Sequence, residues 1–545
     1  MKLESVNWPG GQSQNESYHQ SFERVSSLYE YNPHTEVSWK ERLDWLQRPD
    51  RPQADRSKLA EIVTAYNKRM GAGPQSVANA RLLAEATTMV VIGGQQAGLF
   101  TGQLLVIYKA MNIIQEARSA SARLGVPVVP VFWIAGEDHD FDEASHTYIL
   151  NRQAEVERLQ LQHPTGKREP VSALKFTREA WEEGLAALEQ GLQDTEFKPD
   201  LLGRLRDIHH QSDTLSEAFA RTLAWLFADE GLVFIDAALP ELRRLESGWF
   251  ARLVSENRAL SEAVWEGKEQ VESLGFTPQA VVDREQAHLF ILVDGERTML
   301  YHDESDGFFR DRKGTVRFSE AELQDIAARR PELLSNNVMS RPLMQDYVFP
   351  VLGVVLGPSE VAYWGMLKQA FGALGMKMPV LLARRGFTLL EGTVQKQLNK
   401  YELTFDDVIQ RIDAKRQAWL DAQDTLHLEP RFSDVKRQFA DLYRPLLDTA
   451  ASLNPGLGKL GETNLQKILE QIDFMQARAL DAHKSQYEAG LRQFDRVKTA
   501  ILPLGKPQER VYNIFVYLNK FGSGWIRELM QSSSAMSSLH AAVYF

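Results

Sequence analysis

The sequence predicts an α/β protein: a Rossmann-like parallel sheet core with two connecting insertions, followed by a C-terminal antiparallel α-helical coiled coil. Three observations carry this. Residues 89–143 pass from an apolar run ending in glycines, through a long amphipathic segment, to a second apolar run, which is the strand, helix, strand pattern of a parallel sheet. Apolar runs of the same kind return at Leu232-Val233-Phe234-Ile235, at 348–356 and at Pro379-Val380-Leu381-Leu382-Ala383. Beyond Leu390 the composition turns to Gln, Lys, Asp, Glu and Leu, with apolar residues at heptad spacing.

Residues 1–85 read as an N-terminal helical wrap broken by Pro9, Pro33, Pro49, Pro52 and Pro74. The core is expected over 86–388. Its first helix has Thr101 as candidate N-cap and a buried stripe of Leu104, Ile107, Met111, Ile114 and Ala117; Gly125 and Pro127 stop it. A charged, irregular stretch near 145–206 reads as the first insertion, and Leu215 to Phe227 as an amphipathic helix feeding the strand that ends in Asp236. The second insertion, near 240–345, is partly β, with Asp294-Gly295 as a hairpin turn. The core resumes in the run 348–356, where Pro350 predicts an irregularity. Pro379 to Ala383 is the last expected core strand.

From 389 to 500 a coiled-coil hairpin is expected. Phe432, Val435, Phe439, Leu442, Leu446, Thr449 and Leu453 form one arm, Asn454-Pro455-Gly456 the turn, and Leu465, Ile468, Ile472, Met475, Ala479 and Ala482 the other. Its apolar stripe packs on the core or dimerises, and dimerisation is the reading preferred here. Residues 501–545 form a helical return.

At 545 residues the chain exceeds one ordinary hydrophobic core. A net charge of -11 argues against non-specific nucleic-acid binding. The absence of cysteine excludes disulfides, a cysteine nucleophile and cysteine-ligated metals. No stretch has the length and apolarity of a membrane span or a signal core, so a cytoplasmic protein is expected.

In a parallel sheet the ends of the first two strands meet at the ligand-binding edge. Gly94-Gln95-Gln96-Ala97-Gly98-Leu99-Phe100-Thr101-Gly102 there permits close backbone approach, and the helix behind it suits a phosphate or carboxylate. A structural turn explains the glycines equally well, though not the adjacent glutamines. Glu137, Asp138, His139, Asp140, Asp142 and Glu143 gather acid around one histidine, flanked by Trp133 and Phe141; they suit an ammonium, a divalent metal or a general base, or simply a solvated helix start. Asp236 reaches the same edge or caps the next helix. Asn337, Arg341, Gln345 and Glu360 place a cation, two amides and a carboxylate around Gly357-Pro358-Ser359-Glu360; Arg341 recognises an anion or pairs with a neighbouring acid.

These motifs, with Phe-Trp-Ile-Ala-Gly-Glu-Asp-His-Asp at 132–140, Asn-Val-Met-Ser-Arg-Pro-Leu-Met-Gln-Asp at 337–346, Gly-Pro-Ser-Glu-Val-Ala-Tyr-Trp at 357–364 and Gln-Glu-Arg at 508–510, resemble the bacillithiol synthase family, the cysteine-adding ligases of bacillithiol biosynthesis. The resemblance runs from about residue 80 to the end. It implies a dimer through the coiled coil and the joining of cysteine to the amine of glucosaminyl malate. The site is expected to have Glu137, Asp138, His139 and Asp140 at the chemistry, the carboxylates holding an ammonium and His139 as candidate base. Gln95, Gln96, Gly98, Thr101, Trp133, Asp236, Asn337, Arg341, Gln345, Glu360 and Tyr363 are expected to face substrate, and Gly357, Ser359, Arg384 and Arg385 a nucleotide. ATP or ADP is expected because amide formation needs activation, although neither His-x-Gly-His nor Lys-Met-Ser-Lys-Ser is present. No metal site is assigned. The alternatives are a metal-dependent hydrolase built on the acidic cluster and a non-catalytic dimeric scaffold.

Overall fold

A computed structural model describes residues 1–6, 8, 13–303, 305–534, 536 and 538–545. It divides into two compact units, Met1–Leu389 with Lys506–Phe545, and Leu390–Gly505.

The first unit is built on five parallel strands: β1 (Met89–Gln95), β2 (Val128–Ile134), β3 (Val233–Asp236), β4 (Val351–Leu356) and β5 (Val380–Ala383), in the spatial order β5-β4-β1-β2-β3. Both faces are covered, and so Met89 to Ile92 and Val131 to Ile134 are apolar without alternation and fully buried. Helix α1 (Leu104–Leu124) makes the β1 to β2 crossover and ends on Gly125 in the left-handed region, as its sequence predicts. Helix α2 (Leu215–Leu226), capped by Thr214, leads into β3.

The chain runs from β1 through β2 to β3, then returns to the other side of β1 with β4. This reversal opens a crevice between the ends of β1 and β4, the place where open α/β sheets bind ligands. Register brings Gln95 level with Ile134, and Ile134 level with Asp236, so three strands end together at this edge.

Several elements differ from expectation. Residues 340–348 are helical (α3, Ser340–Val348), so β4 starts only at Val351, and its register against β1 shifts between Val351 and Gly353, next to Pro350. Helix α4 (Pro358–Trp364) follows. The N-terminal wrap begins with a strand, Lys2–Ser5, that pairs antiparallel with the C-terminal strand His540–Tyr544; Gly386–Leu390 completes that small sheet. A terminal strand pair was invisible locally because its partners lie at opposite ends of the chain. The second insertion carries a five-stranded antiparallel sheet in which Asp294 and Gly295, at φ 51° and 85°, turn the Gln286–Val293 strand into Glu296–Asp303.

The second unit centres on α5 (Leu428–Leu453) and α6 (Pro455–Gln486), joined at Asn454, whose side chain accepts a hydrogen bond from Gly456 N at 2.8 Å. Val435, Leu442, Leu446 and Leu453 of the heptad stripe are exposed, Leu442 by 74% and Leu453 by 79%. Among the described residues no helix is long and apolar enough to cross a membrane.

Candidate functional site

The first loop is locked by the protein itself. Phe100, Thr101 and Gly102 are consecutive left-handed residues, at φ 51°, 71° and 70°. A Cβ on Gly98 would lie 2.8 Å from Gly102 Cα, so the loop folds back on itself only with glycine there. Asn513 holds the strained turn, its Nδ2 donating to Phe100 O at 2.8 Å and to Gly102 O at 2.7 Å. Leu104 N donates to Tyr512 O at 2.8 Å, and the N-cap is Gln103 rather than Thr101. Gly98 and Thr101 therefore shape a buried turn, and the start of α1 is covered rather than free to cradle an anion.

The crevice between β1 and β4 also holds a cation of the protein. Lys109, on α1 and 1% exposed, donates to Gly94 O at 2.8 Å, Gln95 Oε1 at 3.1 Å and Glu360 Oε2 at 2.6 Å. Burial pulls the Lys109 ammonium below its ordinary value, against the pull of Glu360. Burial pushes Glu360 up, but Lys109 outweighs it and the carboxylate sits below the usual range. Glu360 also accepts from Gly357 N at 2.7 Å, which occupies the turn at the start of α4; Ser359 is exposed on that first turn. Beside this pair Arg341 donates to Gln345 Oε1 at 2.7 Å and to the Tyr363 hydroxyl at 2.6 Å. Gln345 Nε2 is buried without a partner.

Asn337 does not reach this group. Its Oδ1 accepts from Met339 N and Ser340 N, starting α3, and its Nδ2 meets buried His288 Nδ1 at 3.0 Å. Trp133 is core, packed edge-on against Phe349. Arg384 makes a buried bidentate ion pair with Glu509, at 3.0 and 2.5 Å. Arg385 is spent on Asn112, Glu116 and Ser533 O. Two arginines in sequence after a strand suggest anion binding, but here they tie the C-terminal segment to the core. Of the residues expected at a nucleotide, Gly357 N, Arg384 and Arg385 thus have partners within the protein, and Ser359 is exposed.

The acidic run at the end of β2 separates into four roles. Glu137 is buried and ion-paired with Arg243, which also holds buried Glu246 at 2.6 Å. Asp140 caps the short helix Phe141–Ala144, accepting from Glu143 N at 3.0 Å. Asp138 accepts from His139 N at 2.7 Å and from Gln96 Nε2, so the second glutamine braces the second loop. His139 stands between two guanidinium groups, with Nε2 2.7 Å from Arg168 and Nδ1 3.5 Å from Arg297. Asp138 Oδ1 lies 3.8 Å from Nδ1. A neutral imidazole accepts at one nitrogen only, so these contacts assign the proton to Nδ1 and the lone pair to Nε2. Burial, Arg297 and Arg168 together lower the His139 pKa. Among the described residues no three His, Asp or Glu side chains converge as metal ligands.

Lys109, Arg168, Arg243 and Arg297 escaped the sequence reading. Lys109 alone left a trace, as a charge inside an otherwise apolar helical run. Arg168 and Arg297 belong to different insertions, brought together where Arg297 N donates to Arg168 O at 3.1 Å.

The fold and this edge define a class: a Rossmann-type α/β protein with a small polar site of mixed charge at the carboxyl ends of its strands, carrying a helical coiled-coil arm. The family profile described as "Bacillithiol biosynthesis BshC, N-terminal Rossmann-like domain" matches residues 1–385, and "Bacillithiol biosynthesis BshC, C-terminal coiled-coil domain" matches residues 387–545. The chain belongs to the BshC family. A relative in Geobacillus thermodenitrificans is 36% identical over 90% of this chain and 90% of its own. One in Bacillus cytotoxicus is 33% identical over 96% and 97%, and one in Symbiobacterium thermophilum 37% identical over 96% and 95%. Each is named "Putative cysteine ligase BshC".

Proposed function

We propose that the chain is an amide-forming ligase that joins the carboxyl group of L-cysteine to the amine of glucosaminyl malate, the last step of bacillithiol biosynthesis, in the cytoplasm. One observation carries the reading: a neutral histidine, backed by a carboxylate, lies beside two guanidinium groups at the ligand edge. Glucosaminyl malate brings two carboxylates and an amine to be deprotonated, and this arrangement offers cations for the first and a base for the second.

In this reading exposed Arg168 turns from His139 Nε2 to a malate carboxylate, with Arg297 beside it. The amine nitrogen then forms the bond to the activated cysteine carbonyl, its proton passes to Nε2, and the activating group leaves with its electron pair. Asp138 steadies the resulting imidazolium. A nucleoside triphosphate is the proposed co-substrate because a carboxylate does not form an amide unaided; no step is assigned to residues around it. The exposed heptad stripe of α5 supports a homodimer through the coiled coil.

Steady-state assays of two variants test the reading. His139→Gln is expected to lower kcat by about 10²- to 10⁴-fold with little change in KM. Arg168→Ala is expected chiefly to raise KM for glucosaminyl malate. Wild-type turnover in His139→Gln would rule out the assigned base.

A further inference from the structure

Behind the Glu137–Arg243 pair, on the β3 side of the edge, lies a cavity of about 350 Å³. This is at the low end of the range for ligand pockets. Its charged lining is four carboxyl groups, Glu137, Asp236, Glu217 and Glu332, against Arg69 and Arg243. The two cations are already engaged. Arg243 is ion-paired to Glu137 and Glu246, and the Arg69 guanidinium lies over the Tyr66 ring, 5.3 Å from its centroid.

Asp236 is 6% exposed, and its carboxylate accepts from Ala238 N at 2.9 Å. Among the described residues no cation comes within ion-pairing distance of it. A buried carboxylate without a counter-ion is costly, and a native fold keeps one where something else supplies the charge. Two further features single out this carboxyl. Tyr66 also lines the cavity, and its buried hydroxyl has no hydrogen-bond partner. A Cβ on Gly136 would fall 2.3 Å from Asp236 Oδ1, so the Ala-Gly-Glu-Asp-His turn makes room for the carboxyl by omitting a side chain. Leu239, Leu292 and Leu334 add an apolar wall suited to a short side chain.

We infer that this cavity is the pocket of the small amino-acid substrate, with its α-ammonium held by Asp236 and Tyr66 and its short side chain against the leucines. The inference rests on the ligase reading and extends it: Asp236 holds the amino acid, and the Asp138–His139 side holds the larger dianionic amine.

The test is calorimetric titration of the full chain with L-cysteine and with 3-mercaptopropionate, which lacks only the ammonium, each alone and with glucosaminyl malate present. Wild type is expected to bind cysteine and not 3-mercaptopropionate. Asp236→Asn is expected to lose about tenfold or more in cysteine affinity while keeping its affinity for glucosaminyl malate. Ala173→Trp, at an exposed lining position, fills the cavity without touching the charge and is expected to lose cysteine alone, with melting curves showing both variants folded. Cysteine affinity unchanged in Asp236→Asn, equal binding of 3-mercaptopropionate, or loss of glucosaminyl malate instead of cysteine would each overturn the inference. If wild type binds neither substrate, the ligase reading fails with it; if wild type binds both and Asp236→Asn is unaffected, the pocket assignment alone fails.

Discussion

At the scale of single residues, His139 is suited to be a base because its surroundings penalise its charge. Burial lowers its pKa first, then Arg297 and Arg168, so the imidazole is neutral at pH 7 and stays so below the ordinary value of about 6.5. The acid limb of kcat/KM against pH is therefore expected below 6.5, and Arg168→Ala is expected to move it upward by removing one of the lowering charges. Asp236 is shifted the other way. Burial raises its pKa to about 6, with Ala238 N, Ser216, Glu137 and Arg243 as the lesser influences around it. A raised carboxyl costs the folded state stability above its unfolded pKa of about 3.8, and the cost fades as pH falls through 6. Asp236→Asn should thus raise the melting temperature at pH 7, by up to roughly 3 kcal/mol of stability, with the gain shrinking towards pH 4. Glu137 to Asp140 were legible as a polar group at the sheet edge because four polar residues follow an apolar strand. Their separate roles were not legible, since consecutive residues of a turn point in different directions and find partners far away in sequence, such as Arg297, 158 positions from His139.

At the scale of elements, the turn after β1 shows how a local rule is outweighed by tertiary contacts. Glycines between a strand and a helix suggest an anion cradle, yet Leu104 N at the helix start is taken by Tyr512 O, and Asn513 fixes the turn through the carbonyls of Phe100 and Gly102. Asn513→Ala leaves two carbonyl oxygens and a strained turn unsupported and is expected to destabilise the first unit by about 1–3 kcal/mol, measured by urea denaturation. Helix α1, its left-handed glycine stop and β2 were readable in detail because periodicity and stop signals agreed with the packing. Helix α3 was not, since Val348 to Leu356 reads as one continuous apolar run and only Pro350 marks where the strand begins. The ligand edge followed from the strand, helix, strand pattern, but the switch point between β1 and β4 needed the strand order, and its occupation by Lys109 depended on the distant Glu360.

At the scale of the whole molecule, the two units differ in their surfaces. The first buries its apolar residues around the sheet and presents a polar edge; the second leaves Val435, Leu442, Leu446 and Leu453 exposed along α5. Heptad spacing made that hairpin visible in the sequence, because the pattern is local and repeats without interruption. Leu442→Lys combined with Leu446→Lys should convert a dimer to a monomer in sedimentation velocity while leaving helix content intact; a monomeric wild type would remove the dimer from the account. The central claim, that this edge joins an amino acid to an amine, is tested most directly by incubating pure protein with glucosaminyl malate, cysteine and ATP while following amide product and nucleotide together. The account predicts product formed in step with nucleotide consumed, and nearly none with His139→Gln. Product formation undiminished in that variant, or none from wild type, would contradict it.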